Sequence, residues 1–259
     1  PDPSPWAGWL PDTFGRAVAI SGDTVLVGAP DNDAAYVFER DQGGPNAWGS
    51  VAALSFGDQE IDFGNSVALA GDVALVGAPV YQGSGAAFVF ERQGVGGPWL
   101  HVATLVPGGA APGDLFGNAV ALSGTTALVG ALGDDPSGGN NAGSAYVFER
   151  AGGAWPEVAQ LTGSTARGGA YFGDVVALDA DTAAIHAPGA FAAYVFKRNQ
   201  GGVDAWGEIA ELPASGDASS LHEGAVAVAA SRVAVRREIP GFSFGGAVRG
   251  LAFDPATGR

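Results

Sequence analysis

The chain predicts an all-β fold, a β-propeller built from four-stranded antiparallel blades, and three observations carry that prediction. The first is repetition. "FGRAVAISGDTVLVGAP" from Phe14, "FGNSVALAGDVALVGAP" from Phe63 and "FGNAVALSGTTALVGAL" from Phe116 are near copies of one another. The second is the period. Phe-Gly recurs at Phe14, Phe63, Phe116 and Phe172, and the same apolar rhythm resumes without Phe-Gly at His222, so the 259 residues hold five units. The third is segment length. Apolar runs of ~5–7 residues, β-branched or aromatic and bounded by Gly, Asp, Asn and Pro, read as strands, whereas helices need runs of ~10 or more. Four such strands in a unit of ~50 residues make one propeller blade.

Each unit yields its elements in the same order. The first strand follows Phe-Gly ("VALAG"), and the second ends in Gly-Ala-Pro ("VALVGAP"). Both are apolar on two faces, as expected of sheets stacked between neighbours. The third strand reads "AAYVFER", "AAFVFER", "SAYVFER" or "AAYVFKR". The fourth begins at Trp48, Trp99, Trp155 or Trp206 and alternates more, as a wetter outer strand should. The units run approximately over 14–62, 63–115, 116–171, 172–221 and 222–259, the last joined by 1–13, within one domain. The fifth unit offers "AVAVAA", "RVAV" and "GLAFDPATGR" but no tryptophan strand. The segment "PSPWAGWL", with Trp6 and Trp9, supplies one beside Phe253, which predicts five blades closed by the N-terminal strand. The alternative is part of a six- or seven-bladed ring. The start at Pro1, without Met or a leader, reads as a processed product or a fragment.

Composition narrows the partners. The net charge of −15 opposes binding to nucleic-acid backbones and to anionic membranes. No apolar run reaches the ~18–20 residues of a membrane span, so no membrane insertion is expected. With no cysteine there is neither a disulfide framework nor a thiolate metal site.

The repeated Phe-Gly and Gly-Ala-Pro words, with "AYVFER" and the tryptophan strand, resemble the FG-GAP repeats of integrin α subunits and of many bacterial secreted proteins. The short "SGDTVLVGAP" form is similar to the bacterial branch. This integrin-like resemblance implies a non-catalytic module for adhesion or ligand binding, extracellular or on the cell surface. It also implies Ca²⁺ on Asp-x-Asp-x-Asp-Gly loops, a pattern from which this chain departs. The first loop offers Asp31, Asn32 and Asp33 without a distal carboxylate, and the third offers Asp134, Asp135, Asn140 and Asn141, the aspartates being the candidate ligands. Calcium takes ~6–8 oxygen ligands, so these residues are a candidate metal set and solvated Asx turns are the other reading.

Catalytic patterns are not found, and no enzyme activity is expected. His101, His186 and His222 lie in different units without metal spacing, and the Gly-rich stretches are turns that precede no helix. Departures from the repeat point to a binding site instead. Where Gly28, Gly77 and Gly130 end the second strand, the fourth unit has His186 and the fifth has Arg236, followed by Arg237 and Glu238. His222 and Glu223 replace the fifth Phe-Gly. A notch of His186, His222, Glu223, Arg236 and Arg237 would take an anionic or hydroxyl-rich group of a protein or glycan, arginine offering a bidentate fork. The other reading is irregularity in a closing blade. A multivalent lectin and a structural protein that self-assembles through its face are the alternative functions. The recurring tryptophans suit inter-blade packing better than sugar stacking, and the Glu-Arg pairs ending strand three read as solvated strand ends.

Overall fold

The computed structural model describes residues 13–57, 61–136, 140–213, 226–229 and 232–235. Four antiparallel four-stranded sheets follow one another along the chain, each in simple meander order. The first contains β1 (Val18–Ser21), β2 (Thr24–Ala29), β3 (Ala34–Arg40) and β4 (Trp48–Leu54). The second contains β5 (Ser66–Ala70), β6 (Val73–Ala78), β7 (Ala86–Arg92) and β8 (Trp99–Leu105). The third contains β9 (Phe116–Ser123), β10 (Thr126–Ala131), β11 (Ser144–Glu149) and β12 (Glu157–Leu161). The fourth contains β13 (Val175–Asp179), β14 (Thr182–Ala187), β15 (Ala192–Arg198) and β16 (Trp206–Pro213). A fifth pair, β17 (Val226–Ala229) and β18 (Arg232–Val235), repeats the first hairpin of a blade. Four of the predicted blades are therefore present, and Val226–Ala229 within "AVAVAA" and Arg232–Val235 ("RVAV") form the strands assigned to them in the fifth unit. The N-terminal tryptophan segment and the segment around Phe253 lie outside the described residues.

First strands stand side by side: β1 packs on β5, β5 on β9, β9 on β13 and β13 on β17. The core consequently lies between sheets. One cluster joins Leu26 and Val37 of the first sheet to Phe63, Val76 and Phe88 of the second. The next joins Leu75 and Val89 to Phe116 and Phe148, and a third joins Leu128 and Val147 to Phe172 and Tyr194. Phe63, Phe116 and Phe172 are fully buried, each burial worth about 1.5–3 kcal/mol.

Two details depart from the simple strand reading. The fourth strand does not alternate cleanly, because the β3–β4 register shifts between Val37 and Phe38, and the same shift recurs at Val89/Phe90, Val147/Phe148 and Val195/Phe196. The extra residue is Val51, Val102, Val158 or Ile209. The three valines are exposed although apolar, as unpaired bulge residues on an outer strand can be. In the third unit the strand starts at Glu157, two residues after the buried Trp155.

Candidate functional site

Antiparallel order gives every blade two ends. At one, the second strand hands over to the third and the Phe-Gly turn enters the first strand. At the other lie the turns between first and second strands and the Glu-Arg ends of the third strand.

The repeated glycines meet at the Phe-Gly end. A Cβ on Gly28 would lie 2.0 Å from the carbonyl oxygen of Gly64 in the next blade. Gly77 faces Gly117 and Gly130 faces Gly173 at the same 2.0 Å. The partner glycines take φ of +97°, +90° and +95°, where a side chain is strained. The two repeated words are thus the two halves of one seam between blades. Phe116 N–H donates to the Ser84 carbonyl of the preceding blade (2.9 Å), and Phe172 N–H to that of Ala142 (3.0 Å). The first blade has a shorter connection, a 3₁₀ turn over Pro30–Asn32. There Asp33 Oδ1 takes the carbonyl's place, accepting from Phe63 N–H (3.0 Å) and Ile61 N–H (3.1 Å). Nearer the axis, Asn65 Nδ2 donates to the Asn118 carbonyl (3.0 Å) and Asn118 Nδ2 to that of Asp174 (3.2 Å).

The opposite end corrects the reading of the Glu-Arg pairs. They are ties between blades rather than solvated ends. Arg92 meets Glu39 of the preceding blade at 2.6 Å, Arg150 meets Glu91 at 2.7 Å, and Arg198 meets Glu149 at 2.5 Å. Arg92 and Arg198 also reach Asp72 and Asp181 within their own blades. Arg40, Arg92 and Arg198 stack over Trp48, Trp99 and Trp206, with centroid distances of 5.4–5.8 Å. Trp99 and Trp155 are buried against the preceding blade, and Trp206 packs against the third-blade cluster. These contacts match the packing reading of the tryptophans.

The candidate metal residues fall in two separate connections. Asp33 is the backbone clamp just described, and exposed Asp31 offers its N–H to Thr13 Oγ1 (3.4 Å). Buried Asp134 accepts from Tyr146 Oη (2.6 Å) and Gln160 Nε2 (3.1 Å), while Asp135 Oδ1 accepts from Asn141 N–H (2.5 Å). Among the described residues no group of three or more His, Asp or Glu side chains is placed to hold a metal ion. His186 stands at the seam position of the fourth blade, 2% exposed, with Nδ1 3.3 Å from Asp174 Oδ2. His222, Glu223, Arg236 and Arg237 lie outside the described residues.

Sequence reasoning did not single out Asp114, Tyr146, Gln160 or Arg16. Burial, reinforced by the hydrogen bond from its hydroxyl to Asp134, pushes the Tyr146 pKa up. Burial, with the charges of Asp134 and Asp135 added, also raises that of Asp114, although Ala111 N–H donates to its Oδ2 (2.6 Å). The signal available in the sequence was the length of the third-blade connection, whose polar residues have no counterpart in the other units. Arg16 stands where Asn65, Asn118 and Asp174 stand in later blades, and with Arg167 it is exposed at an end bearing the exposed carboxylates of Asp31 and Asp135.

With the paired glycine seams in view, the family comparison can be read against them. A model described as "FG-GAP repeat" matches residues 8–43, 48–90 and 99–148. The chain is an FG-GAP repeat protein. The glycine of each FG word and the glycine of the preceding GAP word are what the family pattern brings into contact here. No curated protein matches the chain. Among solved structures, the chain is similar to a "putative 6-phosphogluconolactonase from Bacteroides uniformis" with a TM-score of 0.60 at 11% identity. That match covers 93% of this chain and 71% of the other, and at this identity it bears on fold alone.

Proposed function

We propose that this FG-GAP protein is a non-catalytic binding or adhesion module, extracellular or on the cell surface, that takes its ligand at the Phe-Gly end beside the fourth blade. One observation carries the position. Three seams are sealed glycine against glycine with no space for a Cβ, and the fourth-blade position belongs to His186. A side chain there excludes the same close approach of the following unit, whose own glycine is replaced by Glu223. The glycine pair of the other seams is therefore missing from the sequence at the junction where Arg236 and Arg237 enter it. Arginine forks beside the His186–Asp174 pair suit a carboxylate or a hydroxyl-rich group presented by a protein or glycan. FG-GAP repeats are typical of extracellular proteins, which supports the location. Among the described residues no helix is long and apolar enough to cross a membrane.

The test is a glycan and peptide array, run with and without calcium, comparing wild type with Arg236→Ala/Arg237→Ala. Binding should fall at least tenfold while the melting temperature holds. Equal binding by the two proteins rejects the site.

A further inference from the structure

Four arginines stand at the ends of the third strands, and one of them is incompletely used. In each blade the arginine N–H donates to the carbonyl of the turn between first and second strands. Arg40 donates to Asp23 (3.0 Å), and Arg92, Arg150 and Arg198 donate to Asp72, Thr125 and Asp181 (each 2.9 Å). The backbone therefore sets all four arginines against the same turn position. Three of those positions are aspartate, and their carboxylates meet the same guanidinium atom. Nε of Arg40 stands 3.0 Å from Asp23 Oδ1, Nε of Arg92 2.7 Å from Asp72 Oδ1, and Nε of Arg198 3.1 Å from Asp181 Oδ1. The third blade has Thr125 there, exposed and uncharged. Arg150 keeps only the tie from its Nη2 to Glu91 (2.7 Å).

Two further differences open the same guanidinium. Between arginine and tryptophan the third blade has four residues (151–154), where the others have six or seven (41–47, 93–98 and 199–205). Arg40, Arg92 and Arg198 lie over the tryptophan that follows, whereas Trp155 is not stacked beneath Arg150. The Arg150 side chain is 37% exposed, against 18% for Arg92 and Arg198. It is nonetheless held in place, by its backbone bond to Thr125 and by Glu91, itself only 16% exposed. A held guanidinium with an open edge gives up little freedom when an acceptor arrives. Arg92 and Arg198 each face one carboxylate across the junction and one within the blade, and Arg150 faces one alone. A second carboxylate would give this junction the charge balance of its neighbours, despite the net charge of −15.

We propose that the Nε edge of Arg150, against Thr125, is a binding site for an aspartate or glutamate side chain of a polypeptide partner. The sister blades show the occupant. In each, an aspartate carboxylate on a tight turn (Gly22-Asp23, Gly71-Asp72 and Ala180-Asp181) fills this place. A carboxylate accepts charge-assisted hydrogen bonds from a guanidinium edge, and the planar fork fixes its direction. The site lies at the Glu-Arg end, opposite the end assigned to the ligand above, and is independent of that reading.

Thr125→Asp is the decisive variant, because it supplies the missing carboxylate from within the chain and fills the site without removing any contact of Arg150. Wild type, Thr125→Asp and Thr125→Asn are probed on an array of hexapeptides with a central Gly-Asp or Gly-Glu. The same peptides with Asn or Gln, and a set of uronic-acid oligosaccharides, complete the array. Wild type and Thr125→Asn should retain the acidic peptides alone. Thr125→Asp should retain them at least tenfold more weakly, while its Tm equals or exceeds that of wild type. Arg236→Ala/Arg237→Ala should bind these peptides as wild type does, which separates failure of this site from failure of the one at the Phe-Gly end. No retention of acidic peptides by wild type, equal retention by Thr125→Asp, or retention of the oligosaccharides alone would each overturn the proposal. So would a Tm of Thr125→Asp below that of wild type, since the added carboxylate would then not have met Arg150.

Discussion

Asp33 does with a side chain what Ser84 and Ala142 do with a backbone carbonyl. The first connection is too short to bring a carbonyl to Phe63, so the chain turns into the left-handed region at Asp33 (φ 47°) and a carboxylate oxygen takes up the two N–H groups. Removing it leaves both donors buried without an acceptor, at about 1–3 kcal/mol each. Asp33→Ala should therefore lower the unfolding free energy by several kcal/mol in urea. Asp33→Asn, which keeps an acceptor and tolerates the backbone, should recover most of that loss. Equal destabilisation by the two substitutions would show that the carboxylate's charge, rather than its oxygen, matters. Asp114 makes the complementary case. Burial and then the charges of Asp134 and Asp135 hold its carboxyl above the ordinary range. The folded state therefore binds that proton more readily than the unfolded chain does. Its contribution to stability is greatest below about pH 4 and is lost as pH rises through the raised value. Asp114→Asn should melt higher than wild type at pH 7 and converge with it near pH 3. A wild type that melts higher at pH 7 would contradict this assignment.

At the scale of elements, the second strand decides how closely blades stack. Its apolar residues fill the space between sheets, and its terminal glycine lets the next blade's backbone approach. Gly77→Ala would place a methyl 2.0 Å from the Gly117 oxygen and 2.3 Å from Ser66 Oγ. Neither the backbone of Gly117 nor the hydrogen-bonded Ser66 hydroxyl can withdraw cheaply. We expect a loss of about 1–3 kcal/mol or more, read as a lower urea midpoint with an unchanged slope. Gly22→Ala is the contrasting control: it has open space around it and a turn φ of +58°, so its cost is limited to backbone strain of about 1 kcal/mol. The outer strand departs from regular pairing. Its bulge leaves Val51, Val102 and Val158 turned out from the core in three successive blades.

At the scale of the molecule, each sheet packs on the next, and stability is a chain of neighbour terms. Junctions are fastened at both ends, by the glycine seam and by the Glu-Arg tie. The sequence loses both fastenings between the fourth and fifth units, at His186 with Glu223 and at Lys197 with Pro255. In the sequence, the junction of the binding proposal is thus also the one that lacks the Glu-Arg residues of the other ties.

Strand count, blade period and the packing role of the tryptophans were legible in the sequence, because a blade is a local meander whose hydrophobic rhythm and turn residues lie within ~50 residues. The pairing of Gly28 with Gly64, of Glu39 with Arg92 and of Asp33 with Phe63 was not legible. Each partner sits in a different repeat, and periodicity says that positions are equivalent without saying which equivalents touch. The Glu-Arg ends looked solvated for that reason: a charged pair at a strand end is ordinary until the neighbouring sheet supplies a second charge. The candidate site divides in the same way. His186 stood out in the sequence as a departure from glycine, but its burial and its pairing with Asp174 depend on how two strands of the fourth blade meet. The one-dimensional pattern therefore determined what each blade is, and only the stacking of blades decided which side chains fasten them.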